Sequence, residues 1–261
     1  ANQAGFENYV GKNEFNNDEF YDGIWGIWDE EFLQFFNKEL TATPQPFLAA
    51  LFSVSSHHPF ILPKKNKKSF PFGTLNIHKN IGYTDYSLRK FFDEARSAEW
   101  YSNTVFVITA DHASAESDFS KYKTSLGSFN VPIIIFDPQN QSLVGIDENT
   151  VVQQNDIMPT VLSLLNYQKD YIAFGTDMFQ ESTDHFAINY VGDAYQLVMD
   201  GYMLQHDGGR TLAVYDIEKD ILLTQNLIGK QSIIQTKLET KLKAIIQEYN
   251  RRLIRDEMTV N

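Results

Sequence analysis

Two short clusters carry the side chains best suited to chemistry: Asp111-His112 and His57-His58. A carboxylate beside a neutral imidazole offers an oxygen and a nitrogen donor, a pairing that suits Mn²⁺, Zn²⁺ or Mg²⁺. Two protein ligands make an incomplete site, so the pair points to part of a metal centre. A further histidine nearby could donate a hydrogen bond to a phosphoryl or sulfuryl oxygen, or protonate a leaving group. The plainer alternatives are an acid that caps a turn, a surface imidazole and a loop pair with no role. His78, His185 and His206 have no such context and read as ordinary surface or interface residues, and Asp156 reads as a helix N-cap. Trp25 and Trp28, flanked by Gly23 and Gly26, could line a pocket and read more simply as core anchors packing under the loop.

Both clusters stand at the ends of apolar runs. Phe47 to Ser56 reads as a buried strand that ends at His57-His58-Pro59, and Val105 to Ile108 as one that ends at Asp111-His112. In an open parallel sheet such ends share one edge, where ligands bind, so the clusters could share a cleft. The neighbouring elements are a helix over Asp29–Leu40, an amphipathic helix over Asp85–Trp100, a strand over Val131–Phe136 and a helix over Ile157–Leu165. That alternation predicts an α/β fold, a mostly parallel sheet with helices on both faces, over residues 1–178. From 179 to 261 the pattern changes to an antiparallel subdomain closed by a helix over Ser232–Ile254. Asp200-Gly201 and Asp207-Gly208-Gly209 mark the turns between short strands at 186–190, 195–199, 201–206 and 210–215.

Composition narrows the function classes. The 261 residues hold 34 acids against 22 bases, and the net charge of −12 argues against nucleic acid or an anionic membrane as a partner. The basic stretch Lys64–Lys68 reads as a solvated loop, or as a greeting for an anionic substrate. With no cysteine, neither disulfides nor a cysteine-zinc site is available. The longest apolar run, Phe47–Val54, is too short to span a bilayer, so the chain itself reads as soluble. Glycine-rich phosphate loops and a Gly-x-Ser-x-Gly elbow are absent, and no Ser or Thr stands persuasively beside a base.

Three segments in order resemble the sulfatase branch of the alkaline phosphatase superfamily: Trp100 to His112, Val131-Pro-Ile-Ile-Ile-Phe136, and Gln154-Asn-Asp-Ile-Met-Pro-Thr-Val-Leu162. Gly26-Ile-Trp-Asp-Glu30 and Ser55-Ser-His-His-Pro-Phe60 sharpen the resemblance toward lipoteichoic acid synthase-like phosphoglycerol transferases. Pieces similar to the family run from about Gly5 to Gly229. The resemblance implies a metal-dependent hydrolase or transferase of phosphate or sulfate esters. In that reading Asp111 and His112 hold one divalent ion, most simply Mn, with Mg, Ca or Zn as alternatives, and His57 contacts the phosphoglycerol head group. Ala113 stands where the family typically has glycine, and His58 where it often has an aromatic residue.

The family also has, upstream, an acidic metal ligand, a Thr nucleophile and a substrate segment that this sequence does not match. The resemblance therefore implies the C-terminal part of a catalytic domain that is itself inactive, holds metal weakly or not at all, and has the N-terminal part as its partner. The parent would be anchored by an N-terminal membrane region, with its catalytic domain on the extracytoplasmic face of a bacterial membrane. A true sulfatase, or a binding domain that keeps the fold without the chemistry, are the alternatives.

Overall fold

The computed structural model describes residues 5–66, 70–140, 142–181 and 184–260, and the chain forms two compact units. The first comprises residues 1–104 with 116–118 and 137–142. It contains α1 (Lys12–Phe15), α2 (Asp29–Ala42) and α3 (Ile77–Ala95). Apolar side chains at helical spacing bury Leu33 and Leu40 of α2 against Tyr83, Phe91 and Ala95 of α3. Phe36 and Phe91 stack across this seam with centroids 6.1 Å apart.

The predicted α2 forms as expected, whereas α3 begins eight residues before Asp85 and ends at Ala95 rather than Trp100. Its first turns carry Asn80 and Thr84, polar residues whose side chains hydrogen-bond to Ser55 and Asp29. The strand expected at 47–56 does not form. Residues 47–54 lie outside any regular element and enter no strand pairing among the described residues. An apolar run reports a preference for burial, but a strand also needs a neighbour to take its backbone hydrogen bonds.

The second unit comprises residues 105–115, 119–136 and 143–261. Its β1 (Phe106–Thr109) and β2 (Ile133–Phe136) pair antiparallel, with Phe106 opposite Phe136 and Thr109 opposite Ile133. This corrects the parallel arrangement expected of these two strands. A parallel pair needs a crossover, usually a helix. The link between them instead carries two short 3-10 turns, Ser120–Lys123 and Gly127–Phe129.

After α4 (Ile157–Leu164) come β3 (Ala187–Val191), β4 (Ala194–Met199), β5 (Tyr202–His206) and β6 (Thr211–Asp216). They form an antiparallel sheet in sequence order, each strand within a residue of its predicted bounds. Asp200 and Gly201 both take positive φ, 53° and 74°, the backbone that a tight hairpin turn requires. Leu238 and Leu242 of α5 (Ser232–Arg255) are fully buried with Phe186, Leu197, Met199, Leu204 and Val214. The predicted antiparallel strands and terminal helix are thus present.

Candidate functional site

His57 sits in a turn whose backbone is held from below by a buried carboxylate. Asp29, at the first position of α2, is 2% exposed. Its Oδ1 accepts from the backbone N–H of Val54 at 3.0 Å and of Ser55 at 3.1 Å, and its Oδ2 accepts from the Thr84 hydroxyl at 3.1 Å. The Ser55 hydroxyl returns the contact by accepting from the Asp29 N–H at 2.9 Å. On the far side the Asn80 amide donates to the carbonyls of Ser55, 2.6 Å, and Ile61, 2.7 Å. The turn is therefore clamped at both ends by side chains from two helices.

Beside this clamp Glu30 pairs with Lys90 at 2.7 Å and with Lys65 at 2.9 Å, and Lys65 also reaches Glu31 at 2.6 Å. Burial pushes the Glu30 carboxyl upward, but the two ammonium groups outweigh it and hold the group below its ordinary value. Lys65 is therefore a structural cation rather than part of a solvated basic loop; Lys67 and Lys68 lie outside the described residues.

On the exposed side, Trp25 lies over His57 with ring centroids 3.9 Å apart. The Trp25 indole N–H donates to the His58 carbonyl at 2.8 Å, and His57 Nδ1 lies 3.0 Å from the same oxygen. A carbonyl can only accept, so the Nδ1 contact requires the proton there and leaves Nε2 of the neutral ring with its lone pair. Trp25 is 51% exposed, so it is not the core anchor its glycine-bounded setting suggests.

Asp111 and His112 follow β1 after Ala110 and belong to the second unit, whereas His57 belongs to the first. The structure brings the pair together: His112 Nε2 lies 3.5 Å from Asp111 Oδ2, and the His112 N–H donates to Asp111 Oδ1 at 2.9 Å. His112 Nδ1 is 2.9 Å from the Ala113 carbonyl, a contact that again requires the proton on Nδ1 and leaves Nε2 with its lone pair. Gln154, in the turn before α4, donates its amide to the carbonyls of Ala110 at 2.7 Å and Asp111 at 3.1 Å. Both side chains are largely exposed, and among the described residues no group of three or more His, Cys, Asp or Glu converges. The donor set, one carboxylate and one imidazole, is of a type that fits a divalent ion as two of its ligands.

Two other sequence readings, those of Asp156 and His206, need revision. Asp156 makes no side-chain bond to the start of α4; its oxygens accept from Gln153 N at 2.9 Å and Thr176 N at 2.7 Å, and burial raises its carboxyl despite them. His206 is buried in β5, where Nδ1 accepts from the Gly208 N–H at 2.9 Å. His78, in the first turn of α3 and partly exposed, accepts at Nδ1 from Thr74 N at 3.1 Å in the segment that precedes the helix. Asp29, Asn80 and Gln154 went unread because polar residues near helix starts look like solvated caps until their partners are known.

The Sulfatase family model matches residues 1–167, a stretch that contains His57, Asp111 and His112. The chain belongs to the sulfatase family. Among its sulfatase-family relatives it is 30% identical over 177 residues to Lipoteichoic acid synthase 1 of Bacillus subtilis, a match covering 61% of this chain and 27% of that protein. It is 26% identical over 196 residues to Lipoteichoic acid synthase of Staphylococcus saprophyticus, covering 66% and 30%. The chain thus spans under a third of the length of these relatives. A solved alkaline phosphatase superfamily protein from Vibrio parahaemolyticus superposes with a TM-score of 0.71 at 21% identity, over 94% of this chain and 60% of that one. Phosphonate monoester hydrolase of Agrobacterium radiobacter superposes with a TM-score of 0.64 at 15% identity, over 85% and 62%. The fold of this sulfatase-family chain is alkaline phosphatase-like.

Proposed function

We propose that the chain forms part of a metal-dependent sulfatase-family enzyme that transfers a phosphoryl group, most simply as phosphoglycerol. The observation that carries this reading is the Asp111–His112 pair, with its imidazole proton committed to the Ala113 carbonyl and Nε2 left to bind. The 30% identity to a lipoteichoic acid synthase supports the transferase assignment. In this reading Asp111 and His112 hold a divalent ion, Mn²⁺ first, with Mg²⁺, Ca²⁺ or Zn²⁺ as alternatives. When bound, the ion supplies Lewis-acid stabilisation of charge on the ester oxygens. His57 meets the substrate head group through Nε2, and the Asp29 clamp holds its turn. The setting proposed for the whole protein is the outer face of a bacterial membrane; among the described residues no helix is long and apolar enough to cross one.

The 261-residue chain by itself is expected to turn over no phosphate or sulfate ester, because no residue in it matches the family's nucleophile. Turnover by the isolated chain would overturn that expectation. Mn²⁺ titration followed by electron paramagnetic resonance tests the metal assignment: binding is weak, and Asp111→Ala with His112→Ala weakens it by about tenfold or more. The melting temperature should stay unchanged, since both side chains are exposed. Equal binding in the double variant would place the ion elsewhere. A sulfate-ester hydrolase is the second reading, favoured by the family model itself. Shifts of the His57 ring signals on titration with glycerol phosphate but not methyl sulfate would separate the two.

A further inference from the structure

We propose that Trp25 is a positioning residue for His57, holding the imidazole in the one orientation and tautomer that leave Nε2 available to a ligand. Four observations carry this. The indole packs against the imidazole as a tilted pair, centroids 3.9 Å apart at an interplanar angle of 48°. The indole N–H and His57 Nδ1 converge on one oxygen, the His58 carbonyl, at 2.8 and 3.0 Å. A carbonyl oxygen has two lone pairs and serves both donors at once.

The turn that carries Trp25 is itself rigidly built. Asp22 Oδ1 accepts from the N–H groups of Ile24, Trp25 and Gly26 at 2.8, 2.8 and 3.0 Å, and Asp22 N donates to the Gly26 carbonyl at 2.9 Å. Gly26 lets this turn approach the chain before His57, since a Cβ there would stand 3.3 Å from Val54 Cγ2. Finally, Trp25 leaves half its surface in solvent, so burial alone does not account for its place. An exposed histidine without such a neighbour samples several ring orientations and shares its proton between both nitrogens. Here the stack blocks rotation of the ring, and the shared carbonyl selects Nδ1–H.

The inference uses the proposed function only in giving His57 a ligand to meet. It is therefore tested with no ligand present, so that its failure is separate from failure of the substrate assignment. Long-range ¹H–¹⁵N correlation spectra of the full chain report which ring nitrogen carries the proton, with His57 identified by its loss in His57→Gln. Above the imidazole titration the wild-type His57 is expected as the Nδ1–H tautomer. In Trp25→Ala the Nε2–H tautomer should rise from minor to major, or both nitrogens should show averaged shifts. If Trp25→Ala loses the dispersed spectrum of the folded chain, Trp25→Leu, which keeps apolar bulk but has neither ring nor donor, carries the same comparison. A wild-type His57 protonated on Nε2, or ring signals unchanged in the folded Trp25 variant, would overturn the assignment.

Discussion

Asp29 shows how one buried carboxylate can do the work of several structural contacts. Three donors from two segments end on its two oxygens: the N–H groups of Val54 and Ser55 and the hydroxyl of Thr84. Asp29→Ala would leave these groups buried without an acceptor, and each unmet donor costs about 1–3 kcal/mol. We therefore expect a loss of at least about 2 kcal/mol in urea unfolding, while Asp29→Asn, which keeps one acceptor oxygen, loses less. Equal stability of Asp29→Ala and wild type would show that the clamp is dispensable. The contrast with Asp111 is instructive. Both acids follow or precede an apolar segment in sequence, but one is sealed beneath a turn and the other stands in solvent beside an imidazole. The Asp-His adjacency makes the second stand out in sequence as a candidate, because two metal-donor types side by side suggest a metal site without any further partner. Nothing adjacent to Asp29 announces its role, since its partners lie 25 and 55 residues away.

Among the elements, the C-terminal sheet and α5 follow most directly from local pattern. Asp-Gly turns fix where strands reverse, and alternation fixes which side chains turn inward, so β3 to β6 pair in order as the sequence implies. Leu238 and Leu242 fall one helical turn apart on α5 and are completely buried. Leu238→Ala and Leu242→Ala should each cost about 2–5 kcal/mol, whereas Ile233→Ala, at a position 88% exposed, should change little. Thermal melts of the three variants decide this; a small loss at both leucines would mean that α5 does not anchor the sheet. The α/β elements were less legible. β1 and β2 are apolar and short, and such runs say nothing about whether their neighbour runs parallel or antiparallel. The 47–56 run shows the same gap, since burial tendency without a pairing partner gives no strand.

For the whole molecule, the excess of acids sets the response to pH. Glu30, beside Lys90 and Lys65, and Glu239, which accepts from the Thr211 hydroxyl, are held below the ordinary carboxylate range. The unfolded chain binds protons at these groups more readily than the folded chain. Their contribution is therefore complete above the unfolded carboxylate value and is lost as pH falls through the lower folded one. Asp156 has the opposite sign: burial raises its carboxyl, so its cost at neutral pH is relieved as it takes up a proton. Carboxylates held low, Glu30 and Glu239 among them, outnumber Asp156, so the melting temperature should fall from about pH 5 toward pH 3, and Glu30→Gln should flatten part of that fall. A profile that is flat for wild type, or unchanged by Glu30→Gln, would count against this account. The sequence by itself determined the family and the antiparallel C-terminal strands with their closing helix, and singled out Asp111-His112 as the candidate pair, because each is written in adjacent or regularly spaced residues. Tertiary structure alone decided strand direction, the Asp29 and Asn80 clamp, the Trp25 stack and the Gln154 contact. Each of those depends on groups distant in sequence becoming neighbours, and the choice among their partners is made by packing and hydrogen-bond satisfaction rather than by local pattern.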